Sequence, residues 1–407
     1  RVAKHRHEGS QALTQNASSH SNHQTGKGSR EMTRTNAMKI YAIAATLALA
    51  GYSANAVSAS DSAAAAGPDS TKAVPAPSAI KAPEKKEVVV QGASPAPNIG
   101  YLPLYVGKKM GYFEEEGLNV TVNYSHGDSA PLQAINAGQA QIMSGTPEAL
   151  IHGYQKGLRG VLFYQTYNKL IFSVAVPEGG KIKAPADLVG KTFGVSSIAS
   201  TGVIIAKVLV AEAGGDAGNV KFLPVGTGQQ ALGALKSGQV DALVLWDAAY
   251  SQIEAGGGDL KLTHWQPKSL SNVGDGGYFT SWELIKTQPN TLAHFTRGMA
   301  KAMVAIHRDP KKALQIYWEV NPSAKPKGTD AEALQIGLRQ LDIVGRSLDL
   351  SGVPKTIDEA SLNAYVKTFV DQGLISKAMP VDQIVTNAFL PIATKAADEE
   401  RKASARR

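Results

Sequence analysis

NAGQAQIMSGTPEAL (136–150) lines up with KSGQVDALVLWDAAY (236–250) at an offset of 100 residues. In both, a helix-length segment stops on Gly-Gln (Gly138-Gln139 and Gly238-Gln239), turns, and enters an apolar run. Glycine is the residue that most easily takes the left-handed conformation that ends a helix. A single Gly-Gln stop means little. Here each stop stands at the same place, between the second and third of three successive strand–helix pairs, so the chain reads as two similar lobes.

The pattern extends outward from these stretches. Short apolar runs alternate with helix-length segments, the signature of β–α–β units and a mostly parallel sheet. In the first half the sequence predicts strands at 98–102, 118–124 and 140–144, with helices at 103–115, 129–137 and 147–156. In the second it predicts strands at 192–196, 219–224 and 240–246, with helices at 201–213, 228–236 and 247–254. Between the halves the sequence predicts a strand at 172–176, a Pro/Gly turn and a short helix around 187–189, and the stretches 172–182 and 273–280 read as two hinge crossings. Helices at 288–308, 310–319, 330–343, 357–371 and 380–396 are expected to pack back on the first lobe. The fold class expected is therefore α/β: a two-lobed clamshell, each lobe a mostly parallel sheet flanked by helices. Lobe 1 would take 88–180 and 275–396, lobe 2 would take 181–274, and 397–407 would be a charged tail.

Composition agrees with a folded protein: 407 residues, 43% hydrophobic and 19% charged. The net charge of +8 is uneven, because residues 1–39 hold seven Lys/Arg against Glu8 and Glu31 and so contribute +5. The remaining +3 is no nucleic-acid signal. There is no cysteine, which excludes disulfides, thiolate nucleophiles and Cys-ligated metals. The five histidines beyond the tail, His126, His152, His264, His294 and His307, lack ligand spacing, so no metal and no cofactor is expected. The triplet Glu114–Glu116 reads as a solvated helix end.

Met38-Lys39, the apolar run at 40–51 and Ala54-Asn55-Ala56 have the form of a secretory signal peptide at 38–56. Residues 1–37 read as an upstream or artificially added segment, and the Ala/Pro-rich 57–87 as a disordered linker. LAGY (49–52) has the shape of a lipoprotein box, but Tyr52 stands where the lipidated cysteine would be. Export without a lipid anchor is the expectation.

With these motifs in place, the chain from about 98 to 320 resembles the periplasmic substrate-binding proteins of ABC importers. The branch is the sulfonate/nitrate/taurine type with a thiamine-pyrimidine-synthase-like domain. The carrying motifs are GYFEEEGLNV (111–120), AINAGQAQI (134–142), GTPEAL (145–150), DLVGKTFGV (187–195), ALKSGQVDALVLWDAAY (234–250) and NTLAHFTRGMAKAM (290–303). The resemblance implies a monomeric extracytoplasmic receptor that captures a small ligand between its lobes. It would deliver that ligand to a permease with its ATPase. A sensory or adaptor clamshell is the alternative. An enzyme of the thiamine-pyrimidine-synthase type is a further one, but those enzymes use a Cys-rich iron-binding segment that this chain lacks.

In open parallel sheets, ligands sit beyond the carboxyl ends of the strands. The strands above thus nominate Tyr101, Leu102, Asp128 and Thr146 in lobe 1. In lobe 2 they nominate Ser197, Ser200, Thr201, Gly202, Thr227, Trp246 and Asp247. SSIASTG (196–202) combines a helix start with hydroxyl donors, suited to an anionic head, although an ordinary Ser/Thr cap reads the same way. Through the resemblance, that loop is expected to hold a sulfonate or carboxylate. Trp246 is either core or pocket wall, and Asp247 either accepts from an amine or locks the hinge. Tyr167 either reaches the cleft or lies on an exposed loop.

Overall fold

Three consecutive valines, Val88–Val90, begin the ordered sheet ten residues earlier than expected. β-Branched side chains suit a pleated strand, and Val88 and Val90 are fully buried. The computed structural model describes residues 75–255, 260–271, 273–274 and 276–406. The upstream segment, the signal peptide and linker residues 57–74 lie outside the described residues.

In chain order the strands are β1 (Glu87–Gly92), β2 (Asn119–Tyr124), β3 (Ile142–Gly145), β4 (Val161–Tyr167), β5 (Phe172–Pro177), β6 (Thr192–Val195), β7 (Lys221–Pro224), β8 (Ala242–Trp246), β9 (Leu262–Trp265) and β10 (Gly276–Thr280). The helices of the two lobes are α1 (Leu102–Lys109), α2 (Tyr112–Glu115), α3 (Ser129–Asn136), α4 (Pro147–Gln155), α5 (Gly202–Glu212), α6 (Gly228–Lys236) and α7 (Asp247–Glu254). The remainder are α8 (Trp282–Thr287), α9 (Pro289–Arg308), α10 (Pro310–Val320), α11 (Asp330–Val344), α12 (Glu359–Asp371) and α13 (Leu390–Ser404).

The two sheets have matching orders, β2-β1-β3-β10-β4 and β7-β6-β8-β5-β9. In each, three parallel strands are followed by one antiparallel strand: β10 pairs with β3 and β4, and β5 pairs with β8 and β9. That odd strand enters from the other lobe. The crossings therefore lie at 168–171 and between Trp265 and Gly276, not at 172–182 and 273–280. β5 bears out the strand expected at 172–176, but both expected hinge stretches contain almost entirely buried strands and so are not the crossings. β5 thus belongs to the second sheet, not to lobe 1. β4 and β9 were not anticipated.

Five further expectations are corrected. The stretch 98–102 is not a strand but a 3-10 turn, Ile99–Tyr101, running into α1. The Asn98 side chain accepts from Gly100 N at 2.8 Å and Pro103 occupies the first turn, both helix-start features. The linker expected at 57–87 is anchored in its last part. The Glu84 carboxylate accepts from the N–H groups of Asn290 and Thr291 at 3.1 and 2.7 Å, capping α9. The helix expected at 380–396 starts later, and the charged tail is the end of α13. Ala393, Ala396 and Ala397 are buried at helical spacing, and buried Glu400 accepts from the Tyr112 hydroxyl at 2.9 Å. Finally, α11 packs on α7 as well as α10, so the C-terminal helices do not cover lobe 1 alone.

Glu116 departs furthest from its expected solvated role. Its carboxylate is 7% exposed and meets His294, Arg297 and Lys301 at 2.8, 2.9 and 2.7 Å. Burial would raise its pKa, but hydrogen bonds from these three α9 side chains hold it at about 2. Phe113, stacked on Phe295 at 5.4 Å, completes the same junction from the apolar side.

Candidate functional site

The carboxyl ends of β1, β3, β6 and β8 face one another across the join of the lobes. With β1 at 87–92, the strand-end rule points first to the loop Ala93–Asn98. That loop is internally braced. Ser94 N donates to the Tyr101 hydroxyl at 3.0 Å, and Asn98 Nδ2 donates to Ser94 Oγ at 2.8 Å. Tyr101 is thereby fixed with its ring 5.8 Å from that of Tyr124, and burial pushes its phenol pKa up. Tyr167, the last residue of β4, donates to Gly100 O at 2.9 Å.

From the second lobe come Trp246, at the end of β8, and Phe172, at the start of β5. Their rings lie 6.0 Å apart. Tyr101, Tyr167, Phe172 and Trp246 wall a cavity of about 60 Å³. Ligand sites usually enclose about 300–1,000 Å³, so the lobes here stand nearly shut.

Direct bonds hold them. Thr201 of lobe 2 donates its hydroxyl proton to Asp128 Oδ2 at 2.9 Å and lies 3.0 Å from the Thr146 hydroxyl, both in lobe 1. Gly127 makes this approach possible. It has φ +85, and a Cβ there would stand 2.6 Å from Ala199 O. Asp128 lines the cavity, and burial raises its pKa to about 6 against the hydroxyl and backbone bonds that lower it. Among the cavity's lining residues it is the one with a charged side chain; no Lys, Arg or His joins it.

Of the residues nominated from sequence, Tyr101, Asp128, Thr146, Tyr167, Ser200 and Trp246 converge on this cavity. Thr201 borders it, its hydroxyl held between the lobes. Gly202 sits behind it, where a Cβ would meet Val244 O at 2.8 Å. Four fall elsewhere. Leu102 is fully buried in the lobe 1 core because it opens α1 instead of ending a strand. The Ser197 hydroxyl is buried without a partner, outside the lining. Thr227 lies in an outer chamber. Asp247 turns toward the hinge and accepts from the Ser347 hydroxyl; burial raises its pKa to about 7.

Ser144, at the head of the strand-end segment 144–147, lines the cavity as the strand-end rule expects, whereas Ser94, Asn98 and Phe172 line it but were not nominated. The valine run before Ser94 was the signal for the first two. Among the described residues, no group of three or more His, Asp or Glu side chains could hold a metal ion.

A family profile described as NMT1/THI5 like matches residues 98–313. The chain is 26% identical over 223 residues to the formylaminopyrimidine-binding protein of Halalkalibacterium halodurans, covering 54% of this chain and 66% of that protein. A solved protein of Bordetella bronchiseptica is 26% identical with a TM-score of 0.62, over 77% of this chain and 99% of its own. The alkanesulfonate-binding protein of Xanthomonas axonopodis pv. citri, solved with MOPS, is 17% identical with a TM-score of 0.58, over 75% and 99%. The nitrate-binding protein of Synechocystis PCC 6803 is 12% identical with a TM-score of 0.55, over 78% and 90%. At these last identities the likeness is one of fold, and the fold is the periplasmic-binding-protein clamshell.

Proposed function

Because the chain belongs to the NMT1/THI5-like family, we propose that it is an extracytoplasmic solute receptor, not an enzyme. It would close two lobes on a small organic molecule and hand that molecule to an ABC permease and its ATPase. The observation that carries this reading is the closed interlobe cavity, latched by Asp128, Thr146 and Thr201 and walled by aromatic rings. A monomer suffices for such a device, since one chain supplies both jaws. Export by a cleavable signal peptide belongs to the same proposal.

The ligand class follows from what the cavity offers. Four aromatic side chains suit a flat ring. The Asp128 carboxylate suits N–H donors on that ring, because a buried carboxylate needs charge-assisted partners. The anionic head expected at SSIASTG finds less there than the sequence implied. The Thr201 hydroxyl is engaged by Asp128, Ser200 Oγ already accepts from Gly202 N at 3.2 Å, and no cationic side chain lines the space. An amino-substituted heterocycle such as an aminopyrimidine fits better, and the name of the Halalkalibacterium halodurans relative is consistent with it.

The test is mass spectrometry of whatever co-purifies, followed by a thermal-shift panel of aminopyrimidines, sulfonates, nitrate and aromatic acids. An aminopyrimidine should raise the melting temperature, as any ligand selective for the native state does. Its affinity should strengthen as pH rises through about 6, where Asp128 ionises. Stabilisation by sulfonate or nitrate alone, growing stronger in acid, would overturn the ligand class.

A further inference from the structure

An outer chamber of about 570 Å³ adjoins the inner cavity and shares Ser94, Asn98 and Trp246 with it. The two spaces have opposite charge. The inner lining carries one carboxylate, Asp128, and no cation. The outer lining carries Lys325 and Lys327 and no carboxylate. Lys325 is paired with Asp330 at 2.8 Å, whereas Lys327 has no ion pair among the described residues.

The chamber also receives the start of α6. Gly226 and Gly228 take φ of +67 and +58 on either side of Thr227, and the Thr227 side chain makes no capping bond. The first N–H groups of this nine-residue helix therefore lack a side-chain cap. Gln340 supplies an independent sign of a missing partner. It lines the chamber, is 9% exposed, and its carboxamide oxygen is buried without a hydrogen bond. Its Nε2, the less buried end of the carboxamide, makes no hydrogen bond among the described residues, so its N–H donors are free as the side chain stands.

Resting on the receptor reading above, we infer that the ligand is bipartite. Its N–H-bearing ring lies inside Trp246 against Asp128. An anionic arm, a phosphate or carboxylate, passes Trp246 into the outer chamber. There the first turn of α6, Lys327 and Gln340 receive it. The GTGQ turn (226–229), not SSIASTG, is then the anion seat. A helix start and a cation together favour a negative group. Placing that group outside also keeps it away from the Asp128 carboxylate.

Calorimetry with two synthetic 4-aminopyrimidines tests this, one with a neutral hydroxypropyl arm and one with a phosphonopropyl arm. At low salt the anionic compound should bind about tenfold more tightly to the wild type. In the double variant Lys327→Ala/Gln340→Leu the two should bind within about twofold of each other. The neutral compound should keep its affinity there, which also reports that the variant folds. Equal affinities in the wild type, or an unchanged ratio in the variant, would overturn the anion seat. If neither ring binds, the ring assignment fails, and inorganic phosphate tests the seat alone. Saturable amide shifts at Gln229 and Gln230 that vanish in Lys327→Ala would uphold it, and absent shifts would overturn it.

Discussion

Replacing Asp128 with asparagine should stabilise the ligand-free protein at neutral pH and leave it unchanged in acid. Asp128 is 7% exposed, and burial raises its pKa from 3.8 to about 6. A shift of about two units at about 1.4 kcal/mol each means the ionised carboxylate costs the folded state about 3 kcal/mol above pH 6. The native state holds this proton more tightly than the unfolded chain does. The group's contribution is therefore fully present below pH 3.8 and is lost as pH rises to about 6. Asparagine does not titrate, so the variant's advantage grows through the same window and is flat beyond it. Part of the gain is forfeited, because the amide offers N–H groups where Thr201 now donates. A net gain of about 1–3 kcal/mol at pH 7.5 remains. Urea midpoints at several pH values between 4 and 7.5 measure it, provided the m-values match. A difference that is flat with pH, or largest in acid, refutes the reasoning. The same substitution should weaken binding of an aminopyrimidine. Stability and affinity then move in opposite directions, which a misfolded variant could not imitate.

Glu116→Gln should act with the opposite sign. The carboxylate is held at about 2 by His294, Arg297 and Lys301, so it contributes about 2–3 kcal/mol above its unfolded pKa after allowance for solvent screening. That contribution fades as pH falls from about 4.5 toward 2. Denaturation at pH 7 and pH 3 should show a large cost shrinking to a small one; equal costs would contradict it. Gly127→Val should hold the lobes apart, since its Cβ would stand 2.6 Å from Ala199 O on a backbone with φ +85. Small-angle scattering with excess ligand should find the variant more extended than the wild type, and identical profiles would dismiss the close approach.

The sequence carried the two-lobe architecture because each lobe repeats a strand–helix rhythm that any register preserves. Strand ends were harder to read. VVVQG (88–92) is short, and the helix-compatible GYLPLY beyond Asn98 contains enough aliphatic and aromatic residues to pass for a strand. That one misplacement hid Ser94 and Asn98 and sent Leu102 to the cleft. The strand-end rule itself was sound. Trp246 and Thr146 were legible because their strands were placed correctly. Asp247 shows the other limit, since one residue past Trp246 the chain has turned through a helix start and faces the hinge. Glu116 and Glu84 were unreadable for a different reason. Their partners lie far away in the chain, and no local pattern announces a carboxylate that will be buried by residues of α9.

The matching sheet orders also constrain how the molecule is made. In the first sheet β4 reaches β3 only through β10, and in the second β5 must wait for β8. A ribosome delivers β4 long before β10, so the amino-terminal sheet cannot be completed while its own half is emerging. Such long-range closure slows folding and defers it. The first sheet thus stays incomplete until β10 is made, which is the state that the proposed export would require of a chain threaded through a narrow membrane pore before it folds.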